Sequence, residues 1–161
     1  MKVLVVGSGG REHAIVWKLS QSSKLEKVYC VPGNGGIEDL AQCIPGDMND
    51  IDFLVNFAKR NKIDLTVVGP ELPLTLGIVD AFQKEGLQIF GPTKEAAHLE
   101  GSKSYAKAFM KKYHIPTAEY IDTENIQEAL DSLRNFTYPL VIKADGLAAG
   151  KGVVIVKNKS E

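Results

Sequence analysis

The sequence has 161 residues, 44% of them hydrophobic and 24% charged, and a formal net charge of −1 at pH 7. This mix is typical of a soluble globular protein, and the near-neutral charge excludes a general electrostatic attraction to nucleic acid or to anionic membranes. No apolar run approaches the roughly 20 residues of a membrane span, so we expect neither nucleic acid nor a membrane among the partners.

Short β-rich runs alternate with helical patterns over the first 92 residues. The predicted strands are Lys2–Val6, Lys27–Val31, Leu65–Val68 and Leu87–Phe90. The predicted helices are Glu12–Leu19, Ile51–Arg60 and Leu74–Lys84, the first packed on the sheet through Ala14, Ile15, Trp17 and Leu19 and the second capped by Asp50 or Asn49. This alternation favours an α/β fold with a parallel sheet and helices on both faces.

Glycine and proline follow each of the four predicted strands. The segments are Gly7–Arg11, Pro32–Gly36, Gly69–Glu71 and Gly91–Pro92. Because ligands bind at the carboxyl ends of parallel strands, we expect these segments to converge on one edge of the sheet and to form one pocket.

The pattern changes after residue 101. The predicted elements are a basic helix at Ser102–Tyr113, a short strand at Glu119–Ile121, a helix at Glu124–Leu133 capped by Thr123, and strands at Tyr138–Lys143 and Val153–Val156. The last two strands flank a loop of glycine and alanine at residues 144–152, which predicts a hairpin around a glycine-rich turn.

The first glycine-rich loop, Gly7-Ser8-Gly9-Gly10-Arg11, lies between a predicted strand and a predicted helix. Glycine lets the backbone approach an anion, the helix N-terminus supplies N–H groups, and Arg11 can contact a phosphate in a two-pronged manner. A dinucleotide site is disfavoured, because Glu12 replaces the third glycine of the fingerprint and no acidic residue ends the second strand. A small phosphorylated ligand is preferred, with a purely structural turn as the alternative.

Cysteine and histidine give no indication of a metal site. Cys30 and Cys43 match no metal-binding or redox spacing, and His98 and His114 have no partners at such a spacing. We expect both cysteines to be structural and reduced, which favours a cytoplasmic location.

Five segments, taken together in their order, resemble the phosphoribosylamine–glycine ligase family. They are Gly7–Ala14, Pro32–Gly36, Val68–Glu71 with Pro73, Leu74 and Gly77, then Leu99–Lys103, and Lys143–Val153. Each segment alone has low specificity, but the five occur in the family's order with matching spacing. The resemblance covers the chain from Val3 to Val156.

The resemblance implies a Rossmann-like pre-ATP-grasp domain over residues 1–101, followed by the incomplete start of an ATP-grasp domain over residues 102–161. It implies an ATP-dependent ligase of purine biosynthesis that joins glycine to 5-phosphoribosylamine through glycyl phosphate. The products are glycinamide ribonucleotide, ADP and phosphate. The implied cofactors are ATP and Mg²⁺ or Mn²⁺, the partners are these small molecules, and a monomer is favoured.

The resemblance also implies two sets of ligand-binding residues. The phosphoribosylamine side comprises Gly7, Gly9, Gly10, Arg11, Asn34 and Glu71. The nucleotide side comprises Lys103, Lys143, Gly146, Gly150, Lys151 and Gly152. The metal ligands are expected beyond residue 161, no catalytic set is complete within the chain, and Asp145 is assigned a structural role.

Structural alternatives to these roles stay open. Glu71 is nearly as well explained as an acid that complements a helix dipole. The alternative for Lys103 is a solvated helix residue. The alternative for the loop 144–152 is a plain hairpin turn. This loop is not a Walker A motif, because Gly146 and Gly150 are separated by three residues and two strands flank it.

Two other functional classes compete with a ligase. A Rossmann-type oxidoreductase domain lacks support from the fingerprint, and tight binding in a fluorescence titration with NADH would favour it. A non-catalytic binding module does not need four glycine-rich loops at one sheet edge, and a surface without affinity for any ligand would favour it.

We expect these 161 residues alone to give no turnover, because the metal ligands of the family lie in later segments. The measurement is an assay with ATP, Mg²⁺, glycine and phosphoribosylamine. Formation of glycinamide ribonucleotide above the rate of a protein-free control would contradict this expectation.

Overall fold

The computed structural model describes residues 1–148 and 150–160. The chain forms two compact units, one at Met1–Ala97 and a second that begins at His98. Ala149, within the predicted glycine-rich loop, and Glu161, at the end of the second predicted domain, lie outside the described residues.

A five-stranded parallel sheet forms the centre of the first unit. Its strands are β1 (Lys2–Gly7), β2 (Lys27–Pro32), β3 (Gln42–Cys43), β4 (Leu65–Val68) and β5 (Ile89–Phe90), in the order β3-β2-β1-β4-β5. The predicted parallel α/β fold is therefore confirmed, with β3 as an additional strand too short to be visible in the sequence. From β1 the chain first builds one side of the sheet and then the other, so the topological switch point lies between β1 and β4.

Five helices follow strands of this sheet. They are α1 (Gly10–Ser20), α2 (Ile51–Asn61), α3 (Glu71–Leu76), α4 (Ile78–Lys84) and α5 (Lys94–Gly101). The single helix predicted at Leu74–Lys84 is in fact two, because Gly77 adopts a left-handed φ of 96° that ends α3 and precedes α4. Asp50, rather than Asn49, caps α2, since its Oδ1 accepts a hydrogen bond of 2.9 Å from the N–H of Phe53.

Helices cover both faces of the sheet, as predicted. Leu4 and Val6 of β1 lie in one buried cluster, which includes Leu54 of α2 and Ile78 and Phe82 of α4. Val3 and Val5, the alternate residues of β1, lie in a second buried cluster on the other face of the sheet, together with Val16 and Ile37. Because both faces are buried, the central strand is a continuous apolar run in the sequence.

The predicted buried face of α1 is confirmed at Ile15 and Leu19, which pack against the buried cluster that contains Val3 and Val5, and is wrong at two other positions. Trp17 is 54% exposed, and Ala14 is also exposed. Glu12 and Val16, one helical turn apart, are the buried residues of α1. The helix therefore packs through positions 12, 15, 16 and 19, which lie on one face of a helix, whereas positions 14 and 17 lie on the exposed face.

The second unit contains two helices and a hairpin. These are α6 (Lys103–Lys112), α7 (Ile126–Ser132) followed by a 3₁₀ turn at Leu133–Asn135, and strands β6 (Leu140–Lys143) and β7 (Val153–Val156). The predicted hairpin is confirmed, with antiparallel pairing that runs from Leu140 opposite Val156 to Lys143 opposite Val153.

Two predictions in the second unit are wrong. Glu119–Ile121 is not a strand, and the preceding segment is held instead by Lys107, whose Nζ donates to Thr117 Oγ1 at 2.7 Å and to the Ala118 carbonyl at 2.8 Å. Lys107 thus fixes a segment that follows its own helix. Asn125, not Thr123, caps α7, because its Oδ1 accepts the N–H of Glu128 at 2.8 Å.

None of the helices in the described part of the chain is long and apolar enough to cross a membrane.

Phe82→Ala should lower the free energy of unfolding of the first unit by about 3–5 kcal/mol, because the ring is fully buried and its removal leaves a cavity. Trp17→Ala is the matched control on an exposed aromatic residue, with an expected change of about 0.5 kcal/mol or less. Urea unfolding followed by circular dichroism measures both. Equal losses in the two variants would contradict the assignment of the core.

Candidate functional site

Three loops meet at the carboxyl edge of the sheet in the first unit. The N–H of Gly69, after β4, donates to the Val6 carbonyl at 3.1 Å, and the N–H of Gly33, after β2, donates to the Gly7 carbonyl at 3.1 Å. The loops after β1, β2 and β4 are therefore joined by backbone hydrogen bonds around the switch point. This is the place where open parallel sheets bind ligands.

The fourth predicted segment is packed differently. A Cβ atom at Gly91, after β5, would lie 2.8 Å from Leu74 Cδ2 and 3.2 Å from Val79 Cγ2. Glycine at this position lets the chain pass close to these apolar side chains. Its role is packing, which the sequence pattern does not distinguish from ligand binding.

Arg11 and Glu71, both predicted to bind substrate, form an ion pair across the switch point. Arg11 Nη2 lies 3.0 Å from Glu71 Oε1, and Arg11 Nη1 donates to the Gly69 carbonyl. The guanidinium therefore links the first turn of α1 to the start of α3. Two of its donors are held by protein oxygens, and the side chain remains 60% exposed.

The pKa of Glu71 is lowered from its ordinary value. The largest cause is a hydrogen bond from its own backbone N–H, and desolvation by burial acts in the opposite direction. The hydrogen bond and the charge of Arg11 lower it further. Glu71 lies in the first turn of α3 and therefore also interacts with a helix N-terminus, as in the alternative role of an acid that complements a helix dipole.

Asn34 ties the loop after β2 to the loop after β1. Its Nδ2 donates to the Ser8 carbonyl at 2.7 Å. Its Oδ1 accepts hydrogen bonds from the N–H groups of Gly36 and Ile37, at 2.9 and 3.1 Å. Because its amide is engaged within the protein, Asn34 holds these two loops together through these contacts.

The glycines of the first loop have different surroundings. Gly7 has a φ of 129°, and a Cβ atom there would lie 2.6 Å from Glu12 Cγ. At Gly9 the nearest atom would be Glu12 Oε2 at 3.0 Å, whereas at Gly10 no atom lies within 4 Å. Gly7 and Gly9 therefore accommodate Glu12, and Gly10 presents open backbone at the N-terminus of α1.

Glu12 is the residue at this edge that the sequence analysis did not assign to the site. It is only 5% exposed, and its Oε2 accepts the N–H of Gly9 at 2.6 Å. A Cβ atom at Gly69 would lie 1.9 Å from Glu12 Oε1. The available signal was the acidic residue at the third glycine position of the dinucleotide fingerprint, which by itself argued only against a dinucleotide site.

In the second unit, Asp145 caps the N-terminus of α6. Its Oδ1 accepts the N–H of Lys103 at 2.6 Å and that of Ser104 at 3.2 Å, and its Oδ2 accepts the Ser102 hydroxyl at 3.1 Å. Desolvation raises the pKa of Asp145, but hydrogen bonds from the backbone N–H groups of Ser104, Gly146 and Lys103 outweigh it, so the pKa is lowered overall. These contacts give Asp145 a structural role.

Lys103 and the glycine-rich loop lie together, as far as the loop is described. Lys103 Nζ donates to the Gly146 carbonyl at 2.6 Å, so Lys103 is not simply a solvated helix residue. Gly146 and Gly150 have φ of 81° and 77° with no atom within 4 Å of a Cβ position. At Gly152 a Cβ atom would lie 2.7 Å from Ala148 Cβ, which indicates close packing inside the loop.

The other two predicted nucleotide lysines, Lys143 and Lys151, are exposed. Lys143 ends β6, opposite Val153, and Lys151 donates its backbone N–H to the Ala148 carbonyl at 2.8 Å. The hairpin thus brings both lysines to the end of the strand pair from which the glycine-rich loop extends.

Among residues 1–148 and 150–160, no group of three or more His, Cys, Asp and Glu side chains is arranged to hold a metal ion. Cys30 and Cys43 are free thiols. Burial raises the pKa of Cys30 to about 12, so this thiol stays protonated and unreactive at neutral pH.

The Arg11→Gln variant should raise the pKa of Glu71 part of the way toward its ordinary value, since the largest cause of the shift, the backbone hydrogen bond, remains. A lowered folded-state pKa means that the stability contributed by Glu71 is present above the ordinary pKa and is lost as pH falls through the folded-state pKa. A ¹³C NMR titration of the carboxyl group measures the shift.

Glu85 is the internal control for this titration, because its pKa is lowered by a hydrogen bond and the charge of Lys59. It should titrate identically in wild type and in the Arg11→Gln variant. An unchanged Glu71 titration in the variant would show that the ion pair does not form in solution.

Comparisons with known proteins match the whole chain in two parts. Residues 1–100 match the family model of the phosphoribosylglycinamide synthetase N domain, and residues 101–161 match that of the ATP-grasp (A) domain of the same synthetase. Among curated relatives named phosphoribosylamine–glycine ligase, that of Caldanaerobacter subterraneus is 60% identical over 98% of this chain. That of Halalkalibacterium halodurans is 58% identical over 100%. The chain spans 38% of the length of each.

Solved structures show the same relationship. Phosphoribosylamine–glycine ligase from Thermotoga maritima has a TM-score of 0.77 and 37% identity, over 99% of this chain and 37% of that chain. Biotin carboxylase from Campylobacter jejuni has a TM-score of 0.76 at 20% identity, over 99% of this chain and 39% of that chain, which shows the fold alone. With both of its parts matched by models of one synthetase, the chain belongs to the phosphoribosylglycinamide synthetase family.

Proposed function

We propose that this chain carries the phosphoribosylamine half-site and part of the nucleotide site of an enzyme that ligates glycine to 5-phosphoribosylamine at the expense of ATP. The observation that carries the proposal is the meeting of three glycine-containing loops at the switch point of the first unit. The high identity to relatives named phosphoribosylamine–glycine ligase supports this choice of reaction.

The phosphate of phosphoribosylamine is assigned to the N-terminus of α1. The first N–H groups of a helix lack partners inside the helix, and the helix dipole adds partial positive charge there. Gly10 leaves this backbone open, with no atom within 4 Å of its Cβ position, and the same is true of Gly35 in the neighbouring loop. These two loops supply the amides, and Gly7 and Gly9 give the first loop its shape.

Arg11 and Glu71 are assigned to the ribose side of the same pocket. A guanidinium has five N–H donors, so Arg11 can keep its bonds to Gly69 and Glu71 and still contact the ligand. The carboxylate of Glu71 is 42% exposed, and its lowered pKa keeps it ionised as an acceptor for ribose hydroxyl groups. Asn34 holds the wall formed by the loop after β2.

The residues of the second unit fit the triphosphate of ATP in their chemistry. Gly146 and Gly150 leave backbone open in the loop, and Lys103, Lys143 and Lys151 provide positive charge. Lys103 is already hydrogen-bonded to this loop and would exchange a carbonyl oxygen for a phosphate oxygen. When bound, ATP supplies the phosphoryl group that activates the carboxylate of glycine, and Mg²⁺ or Mn²⁺ neutralises its charge.

The wider organisation follows from the same assignment. We propose a substrate-binding domain at 1–101 and the start of an ATP-grasp domain at 102–161. We also propose a monomeric enzyme of the cytoplasm, whose partners are phosphoribosylamine, glycine and ATP.

One NMR experiment tests both halves of the proposal. The ¹⁵N-labelled chain is titrated with ribose 5-phosphate and, separately, with ATP and Mg²⁺. Ribose 5-phosphate should shift the amides of 7–11 and 33–36, where the open glycines lie, and ATP should shift those of 143–152, so that each ligand is the control for the other. Lys103→Met should weaken the response to ATP, whereas Lys111→Met, at the exposed end of the same helix, should not.

Ribose 5-phosphate shifts confined to residues outside 7–11 would overturn the phosphate assignment. Equal effects of the two lysine variants would overturn the role of Lys103. Tight binding of NADH, by contrast, would favour an oxidoreductase domain.

A further inference from the structure

Glu12 is the only charged side chain that is buried among the residues the structure describes, with 5% exposure. Burial of an ionised carboxylate is costly unless strong hydrogen bonds compensate for the loss of water. The structure places this side chain against the backbone of the loops after β1 and β4. A buried carboxyl group at such a position requires an explanation beyond packing.

The side chain of Glu12 fills a space shared by glycines of two loops. A Cβ atom at Gly7 would lie 2.6 Å from Glu12 Cγ, and one at Gly69 would lie 1.9 Å from Glu12 Oε1. At Gly9 the distance to Glu12 Oε2 would be 3.0 Å. The three positions lack a side chain in the sequence, and Glu12 occupies the volume that their side chains would take.

The carboxylate is also held by a short hydrogen bond. The N–H of Gly9 donates to Glu12 Oε2 at 2.6 Å, shorter than the roughly 2.9 Å that is typical of an N–H···O hydrogen bond. Because Gly9 immediately precedes α1, the carboxylate also lies at the positive end of the helix dipole. The hydrogen bond to Glu12 fixes the direction of the Gly9 peptide.

Two adjacent residues of α1 therefore hold the end of β4. Arg11 donates to the carbonyl of Gly69, while the carboxylate of Glu12 lies against its Cα. Glu12 at the same time takes up the N–H of Gly9, so the amides that remain for an anion are those beyond it, beginning at Gly10. The loop is thus fixed at Gly9, and the end of β4 is fixed at Gly69.

We propose that Glu12 is the positioning residue of the phosphate pocket, and that the reach of its carboxylate to Gly9 and Gly69 preorganises the loop for a phosphate group. This inference rests on the proposed function for its ligand. Its structural part, the fixing of Gly9, is independent of any ligand.

The test separates the length of the side chain from its charge. Glu12→Gln keeps the length and an acceptor oxygen, whereas Glu12→Asp keeps the charge but is one methylene too short to reach Gly9. Glu26→Ala, at the opposite edge of the sheet, is the control. The dissociation constant of ribose 5-phosphate and the hydrogen exchange rate of the Gly9 amide are measured by NMR for each chain.

We expect the Gln variant to bind ribose 5-phosphate within about threefold of wild type, and the Asp variant to bind about tenfold more weakly, with faster exchange at Gly9. A purely structural role would lower the melting temperature of the Asp variant but would leave the dissociation constant of the folded protein unchanged. Rescue by Gln therefore distinguishes positioning from stability.

Wild-type affinity and unchanged Gly9 exchange in the Asp variant would overturn the inference, as would equal losses in the Asp and Gln variants. If wild type itself fails to bind ribose 5-phosphate, the proposed function loses its substrate. The fixing of the loop by Glu12 is then decided by the exchange rate of Gly9 alone, with faster exchange in the Asp variant as the supporting result.

Discussion

The parallel pairing of β1 with both β2 and β4 is the constraint on which the candidate phosphoribosyl site depends. In the register of these strands, Gly7 is opposite Pro32, and Val6 is opposite Val68. All three strands therefore end at the same level, and their following loops start side by side. The backbone bonds from Gly33 and Gly69 to the end of β1 extend this register into the loops. Without this common register, the three glycine-containing loops would not lie next to one another.

Much of the fold was predictable because the strands that carry it are buried on both faces. Continuous apolar runs at the first and third predicted strands identified β1 and β4 to within one residue. The errors occur where a tertiary contact decides. Gly77 divides a helix through its backbone conformation, and β3 consists of only Gln42–Cys43 beside β2. Trp17 is apolar but belongs to a helix row that does not meet the sheet.

The sequence allowed us to predict most residues of the candidate site, but not the hydrogen bonds and the ion pair that connect them. Glycines at strand ends and a basic residue at a helix start are local signals. By contrast, the bond from Asn34 to Ser8 spans 26 positions, and that from Arg11 to Glu71 spans 60. No periodicity relates residues at such separations. Glu12 was missed for the opposite reason, since an acidic residue in the first helical turn has a sufficient local explanation in the helix dipole.

The two candidate sites contain the same two kinds of interaction, but they differ in how many N–H groups the carboxylate accepts. In each unit a carboxylate accepts an N–H group at a helix N-terminus, and a cationic side chain donates to the carbonyl of a glycine, Gly69 or Gly146. In the second unit Asp145 takes up two N–H groups and a hydroxyl at the start of α6, so that helix end is already satisfied.

A phosphate in the second unit must therefore rely on lysine ammonium groups and loop amides. In the first unit Glu12 takes only the N–H of Gly9, and no atom lies within 4 Å of a Cβ position at Gly10. This difference suits the two proposed ligands: a triphosphate carries several charges that lysines neutralise, whereas a single phosphate group can be enclosed by oriented backbone dipoles. The proposed anion sites therefore depend on local geometry, since the net charge of the sequence is only −1.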